Sequence, residues 1–324
     1  MKIINNNPYR IIGILVGASA REKERQIKKL KQYLEAEQQP QDDFSFPALS
    51  QVKRTIETVT DAASKLNLDN DKINSALFWF YKGNDITDEP ALDALKESNQ
   101  NITKEIWEKL ITTGEVTQRN ASAYHNLSTL LLSELFDNSP IDSFHLTEAI
   151  SLKLKFLESD FVRDFKKLAT DETFKTTKKE LQLSFLNQLY NEIDGKNGIT
   201  PFKFLEIIQG QEFSAKDEFI KYFIQKPIER IEKQIGIAKT ERKANKKHAA
   251  KIGKKLFTEA ADSIDQLKAV LGITNIKFSS ISDKLASEIL QCGIDYYSYF
   301  KDTETDLSAT VMDLFQKAEM LAVG

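Results

Sequence analysis

Lysine and arginine side chains at helical spacing are the residues of this sequence best suited to binding a charged partner. One group lies near the amino end and consists of Arg21, Arg25, Lys28, Lys29 and Lys31. Residues three and four apart share one side of a helix, so Arg21, Arg25 and Lys28 form a basic stripe. Such a stripe can contact an acidic protein surface, but a purely structural helix with a solvated face has the same pattern.

A second basic run, "KTERKANKKHAAKIGKK", covers residues 239–255 and places lysines at four-residue intervals: Lys239, Lys243, Lys247, Lys251 and Lys255. A ridge of this kind can bind nucleic-acid phosphates. The run has no interleaved aromatic residue, and the net charge of -3 gives the chain no general attraction to polyanions. The sequence therefore favours a solvated helix face, and nucleic acid is not the expected partner.

No constellation of residues predicts catalysis, a metal site or a cofactor site. The histidines are scattered, and no other ligand joins them at metal-binding spacing. They are His125, His145 and His248. His125 lies within a helical pattern and is expected to be a packing residue. The glycine pair Gly13 and Gly17 lacks the lysine and hydroxyl residue of a phosphate-binding loop. We therefore expect a non-enzymatic protein without a cofactor.

The composition is that of a folded, helix-rich protein, with 41% apolar and 29% charged residues among 324. The single cysteine, Cys292, lies among apolar residues and predicts an inert core thiol compatible with a reducing compartment. The opening "MKIINNNPYR" lacks the apolar core of a signal peptide. The run "RIIGILVGA" is too short to span a bilayer. A cytoplasmic protein without membrane insertion is expected.

Apolar residues recur at helical spacing along nearly the whole chain, which predicts an all-α protein. Turn-forming segments divide it into a three-helix unit (1–83), helical hairpins (84–200) and a region of long helices (201–324). Ser19 and Glu22 form a capping-box pattern at the start of the basic helix. Ser45 is the expected cap of the next helix, with Pro47 in its first turn.

The third region contains a heptad seam over residues 227–271, with Arg242 and Asn245 interrupting it. The seam positions are Ile228, Ile231, Ile235, Ala238, Arg242, Asn245, Ala249, Ile252 and Leu256. An unbroken helix over this region would be roughly 65 Å long and would need partner helices from this chain or another. The pattern therefore predicts an antiparallel coiled coil or a bundle. It also gives an alternative function, that of an assembly protein that self-associates through residues 227–271.

The middle region contains two helical segments, "SAYHNLSTLLLSEL" (122–135) and "TEAISLKLKFLES" (147–159). Together they are similar to the helix pair of a tetratricopeptide repeat, a module that binds other proteins. No second copy follows at constant period, so an ordinary antiparallel helix hairpin is the alternative. The resemblance implies a second protein partner on the helical middle or tail.

Near the amino end, "NPYRIIGI" is followed by a basic helix, a polar loop and a second amphipathic helix. This order of segments resembles a J domain, the module of heat-shock co-chaperones. The resemblance covers roughly the first 80 residues. In that family the basic helix and a His-Pro-Asp triplet engage the seventy-kilodalton chaperone ATPase and stimulate hydrolysis. Here Gln39-Pro40-Gln41 stands at the position of the triplet, and Asp42 follows one position late.

Neither glutamine carries the chemistry of the residue it replaces, because Gln39 cannot become a cation and Gln41 is not an anion. The resemblance therefore implies an adaptor that docks on a heat-shock ATPase without stimulating it. The residues implied in docking are Arg21, Arg25, Lys28, Lys29, Lys31, Gln39, Pro40, Gln41 and Asp42.

Replacing both glutamines tests the loop directly. The double change Gln39→His and Gln41→Asp supplies the missing charges, so the variant should accelerate ATP hydrolysis by a seventy-kilodalton heat-shock ATPase in a single-turnover assay. The unchanged protein should leave the rate at its basal value. If the double variant also leaves ATP hydrolysis at its basal rate, then other positions of the amino-terminal unit differ from the family as well.

Overall fold

A computed structural model describes residues 1–38, 44–135, 141–193, 198–303 and 307–324. These residues are predominantly helical, as predicted, and the only β-contact among them is an isolated bridge between Val16 and Tyr81. No helix in the described part of the chain has the length and apolar character needed to cross a bilayer. The chain divides into two compact units, one of Met1–Thr200 with Ile207–Lys216 and one of Pro201–Glu206 with Asp217–Gly324.

The first unit contains eleven helices among its described residues. They are α1 (Lys2–Asn5), α2 (Pro8–Ile12), α3 (Ala20–Glu35), α4 (Ile56–Lys65), α5 (Asp69–Ala76), α6 (Asp85–Lys96), α7 (Gln100–Ile111), α8 (Ala121–Glu134), α9 (Ser143–Glu158), α10 (Val162–Ala169) and α11 (Lys178–Ile193), with a 3-10 turn at Pro47–Leu49. After α12 (Pro201–Gln209), the chain forms α13 (Lys216–Ala244), α14 (Ala249–Leu271), α15 (Ile276–Phe300) and α16 (Ser308–Leu321), with a 3-10 turn at Lys246–His248.

The start of α3 is the one that the sequence predicts. The Ser19 hydroxyl accepts a hydrogen bond from the backbone N–H of Glu22, and the Glu22 carboxylate accepts one from the N–H of Ser19. This reciprocal pair satisfies two donors that the first helical turn would otherwise leave open. The helix therefore begins at a defined residue.

The predicted start of the next helix is wrong. Ser45 is not a helix cap, and α4 begins only at Ile56, where the Thr55 hydroxyl accepts from the N–H of Thr58. The intervening backbone is held by a buried guanidinium: Arg10 donates from Nε to the Ser45 carbonyl at 3.0 Å and from Nη2 to the Ser50 carbonyl at 2.7 Å. Carbonyls turned toward this side chain are not available for helical hydrogen bonds.

The segment Leu77–Tyr81, which follows the end of α5 through a turn, passes through the first unit, and all five of its side chains are buried. The Trp79 indole N–H donates to the Ile14 carbonyl at 2.9 Å. The backbone of Tyr81 exchanges two hydrogen bonds with the Asn126 side chain, which lies in α8. The segment joins the amino-terminal helices to the middle helices, so residues 1–83 and 84–200 share one core.

The middle of the first unit is built around α8, whose residues are buried on every side from Ala121 to Ser133. Helix α9 runs antiparallel to it, and the Ser128 hydroxyl donates to the Ala149 carbonyl at 2.6 Å across the pair. These two helices are the segments that carry the tetratricopeptide resemblance. The described structure contains them as one helix hairpin within a larger core.

The prediction of an unbroken helix over residues 227–271 is wrong. Helix α13 ends at Ala244, and Asn245 has the non-helical backbone angles φ -147° and ψ 85° before the 3-10 turn. The break falls where Arg242 and Asn245 interrupt the apolar seam. Arg242 is buried there and bonds to two carboxylates of α15, Glu288 at 2.7 Å and Asp295. This network anchors the end of α13 and lets the chain turn back.

The partner helices that the seam requires lie in the same chain. Ile231 and Ala238 of α13 and Leu256 of α14 are buried in one apolar cluster with Ile289 of α15 and Leu314 of α16. The second unit is therefore a helical bundle whose seam is covered from within.

The Arg242 network generates a stability prediction. Changing Arg242→Met leaves Glu288 buried without a cation and leaves Asp295 with only the more distant Lys246 ammonium at 3.7 Å, so we expect the free energy of unfolding to fall by about 3 kcal/mol. The triple change Arg242→Met, Glu288→Leu and Asp295→Leu removes all three charges and should recover most of that loss. Urea denaturation measures both.

The matched control is Lys243→Met, because Lys243 is the exposed neighbour of Arg242. Its free energy of unfolding should stay within about 0.5 kcal/mol of the unchanged protein. A triple variant no more stable than Arg242→Met would contradict the electrostatic origin of the loss.

Candidate functional site

The basic face of α3 consists of Arg21, Arg25, Lys28, Lys29 and Lys31. Arg21, Arg25 and Lys28 are exposed, and Lys29 and Lys31 are half-buried. Within the described part of the chain, no carboxylate forms an ion pair with any of them; Lys29 lies 6.0 Å from the ring centre of Tyr33. The face therefore presents positive charge to solvent without a direct ion pair, although the Arg25 charge is near enough to help lower the pKa of Glu22.

The opposite side of α3 is held against the protein. Leu30 is completely buried, and α3 packs on α4 in the antiparallel sense. The Lys23 ammonium at the start of α3 donates to the Leu66 carbonyl at 3.2 Å and to Asn67 Oδ1 at 3.0 Å, just beyond the end of α4. The capping box at Ser19 holds the same end of α3. These contacts set the direction in which the basic face points.

The predicted tip residues Gln39, Pro40, Gln41 and Asp42 lie outside the described residues. Both flanks of this segment are described. On one side the Gln38 N–H donates to the Tyr33 carbonyl at 2.8 Å, and on the other the Phe44 N–H donates to the Gly13 carbonyl at 3.2 Å. The described residues thus place the ends of the loop next to the carboxyl end of α3 and to the turn after α2.

A cavity of about 290 Å³ lies beside the start of α3 and was not evident from the sequence. Tyr9, Lys23, Lys72 and Asp171 contribute to its lining. Burial, and secondarily the charge of Lys72, lowers the pKa of Lys23. Lys72 is paired with Asp69 at 2.9 Å. Since both ammonium groups already have partners, we assign no ligand to this cavity.

A polar centre lies inside the first unit around His125 and Lys153, both completely buried. His125 Nε2 lies 2.8 Å from the Trp79 carbonyl oxygen. Lys153 Nζ donates to the His125 carbonyl at 3.0 Å and to the Thr129 hydroxyl at 2.9 Å. Three aromatic rings surround the imidazole: Tyr81, Phe156 and Phe165.

Burial controls the protonation of this centre. It lowers the pKa of Lys153 well below its usual value, and burial together with the neighbouring Lys153 charge lowers the pKa of His125. No carboxylate pairs with Lys153 among the described residues, and a neutral amine has two N–H donors for its two acceptors. Complete burial keeps both side chains away from solvent, so His125 is a packing residue, as predicted.

The remaining candidate residues do not form a chemical site. His145 pairs with Asp142 at 2.6 Å on the surface. Cys292 is completely buried, and burial raises its pKa to about 12, so the thiol is inert at neutral pH, as predicted. Nowhere in the described ranges do three or more His, Cys, Asp or Glu side chains come together as metal ligands.

Comparison with protein-family models, with curated proteins and with solved structures finds no match to this chain.

Replacing the buried amine generates a prediction about pH. Between the lowered pKa of Lys153 and its ordinary value of about 10.4, the unfolded chain binds one more proton than the folded protein. The free energy of unfolding should therefore rise with pH across that range. Lys153→Met should raise the free energy of unfolding by about 1 kcal/mol at pH 7 and remove the increase with pH that Lys153 causes. Denaturation between pH 7 and 9.5 measures both.

The control is Lys155→Met, which removes an exposed lysine from the same helix. It should change neither the free energy of unfolding at pH 7 nor its dependence on pH. A Lys153→Met protein that is less stable than the original at pH 7, or that keeps the same rise of stability with pH, would contradict the prediction.

Proposed function

We propose that this protein is a non-enzymatic adaptor that docks on a seventy-kilodalton heat-shock ATPase through the basic face of α3. The observation that carries the proposal is the exposure of Arg21, Arg25 and Lys28 on a helix whose other side is held by α4. This arrangement agrees with what the J-domain resemblance implies for the basic helix and its packing helix.

The energetics favour recognition by charge. The three exposed cations lie on a fixed helix and have no intramolecular ion pair among the described residues, so a partner does not have to break one. Exposed charges of this kind mainly accelerate association and make it dependent on salt. An acidic surface on the ATPase is the complementary partner.

Docking without stimulation follows from the sequence of the loop. The family uses a histidine and an aspartate there, whereas Gln39 and Gln41 are neutral at every pH in the physiological range. In this proposal the adaptor occupies the docking site of a co-chaperone and leaves ATP hydrolysis at its basal rate.

An adaptor also needs a second protein-binding surface, and the repeat-like middle of the first unit is the proposed position. Two large apolar side chains are exposed there, Ile86 at 84% and Phe144 at 71%. The alternative of self-association through residues 227–271 is less well supported, because α15 and α16 of the same chain cover the heptad seam.

A binding titration tests the docking. The purified protein is titrated against the ATPase domain of a seventy-kilodalton heat-shock protein at low salt, in parallel with an Arg25→Glu/Lys28→Glu variant. Reversing two charges at the centre of the face should weaken binding at least about tenfold, mostly through slower association.

The matched control is Lys175→Glu/Lys179→Glu, which makes the same change in net charge at two exposed lysines elsewhere on the first unit. It should bind like the original protein. Equal binding by all three proteins, or absence of binding by the original, would remove the docking proposal.

A further inference from the structure

Four lysines without ion pairs gather where α13 turns back into α14. They are Lys239 and Lys243 at the end of α13, Lys247 in the 3-10 turn and Lys251 in the first turns of α14. All four are exposed, and no described carboxylate pairs with them. The neighbouring lysines of the run are engaged: Lys246 with Asp295, Lys254 with Asp313 and Lys255 with Glu259. We call the four unpaired residues the basic corner.

The break at Asn245 is what makes this a corner. In an unbroken helix the run 239–255 would extend about 24 Å as a straight ridge. The turn sends α14 back alongside α13, where the Gln234 amide donates to the Glu259 carbonyl at 3.1 Å, so the four lysines lie on two antiparallel helices and the turn between them. Glu241 is the only acidic residue in the run, and Glu288 and Asp295 are occupied by Arg242.

An aromatic side chain that the run itself lacks is supplied by α15. Asp295 bonds to Arg242 and lies 3.7 Å from the ammonium of Lys246, so this part of α15 lies against the corner. Tyr299 follows Asp295 by four residues and therefore occupies the same side of α15, one turn further on. Its side chain is 54% exposed, and its ring packs edge-to-face on Phe300 at 4.8 Å.

A groove beside the corner extends between α13 and α15. Lys239 and Lys243 line it from α13, and Ser287 and Gln291 line it from α15. The buried Arg242 pair forms part of its lining as well. Three carboxylates line the groove as well, and each already has a partner: Glu232 pairs with Lys284, Glu288 pairs with Arg242, and Asp283 accepts from the Val323 N–H. The ammonium groups of Lys239 and Lys243 therefore remain available to phosphates at this side of the corner.

We propose that the basic corner binds single-stranded nucleic acid, with phosphates on the four unpaired lysines and a base stacked on the ring of Tyr299. Stacking of this kind requires an unpaired base and tolerates any base sequence. A lipid surface is a poorer match, because an inserted segment would need apolar side chains and residues 239–251 expose none larger than alanine. The proposal is independent of docking through α3.

Fluorescence anisotropy with a labelled 20-nucleotide oligothymidylate tests the proposal. Four lysine–phosphate contacts predict that log K falls with log salt at a slope near -2.8, or about 50-fold between 50 and 200 mM. Lys247→Glu/Lys251→Glu should weaken binding at 50 mM salt more than tenfold. The control Lys226→Glu/Arg230→Glu reverses two exposed charges elsewhere on α13 and should bind nearly as well as the original.

Variants of Tyr299 separate stacking from simple charge attraction. Tyr299→Ala should weaken binding of the single strand by about tenfold, whereas Tyr299→Phe should retain it. Binding of a duplex of equal length should be weaker and should not change in Tyr299→Ala. A thermal melt confirms that each variant is folded, since all of the altered side chains are exposed.

Four results would overturn the proposal. The first is absence of oligonucleotide binding at 50 mM salt, and the second is an equal loss of affinity in the corner and control variants. The third is duplex binding as tight as single-strand binding, with no effect of Tyr299→Ala. The fourth is tighter binding to phosphatidylserine vesicles than to the oligonucleotide. The third would indicate a polyanion site without stacking, and the fourth a membrane site.

Discussion

Burying a guanidinium group without losing its hydrogen bonds is the constraint that shapes the amino-terminal part of this protein. Arg10 is 1% exposed and bonds to Asn5 Oδ1 as well as to the carbonyls of Ser45 and Ser50. Arg54, also buried, donates to the Ile11 carbonyl at 2.7 Å. A buried cation that lost such partners would cost several kilocalories per mole. The segment before α4 is therefore fixed, and α4 meets α3 with the basic face outward.

The same constraint is met differently in the second unit. Arg242 satisfies its donors with two carboxylates, so the network also cancels charge within the bundle. Burial alone would raise the pKa of Asp295, but the hydrogen bond and the charge of Arg242 lower it below its ordinary value. A polar residue in an apolar seam thus marks the position where the chain changes direction.

Features that depend on neighbours in sequence could be predicted, and features that depend on distant partners could not. The helical class and the Ser19–Glu22 capping box follow from periodicity and a three-residue spacing. The failed predictions at Ser45 and across residues 227–271 depend on Arg10, 35 residues away, and on Glu288, 46 residues beyond Arg242. The exposure of Arg25 and Lys28 follows from the amphipathic pattern. No pattern in the run 239–255 could reveal that Asp295 of α15 lies against it.

The path of Leu77–Tyr81 through the first unit has a consequence for how two ligands would be arranged. Modules joined by a flexible linker sample a range of separations, and the linker sets their effective concentration. Here the helices that carry the basic face are joined to α8 by shared core contacts. A protein held at α3 and another held near Phe144 would therefore keep a constant spacing and orientation.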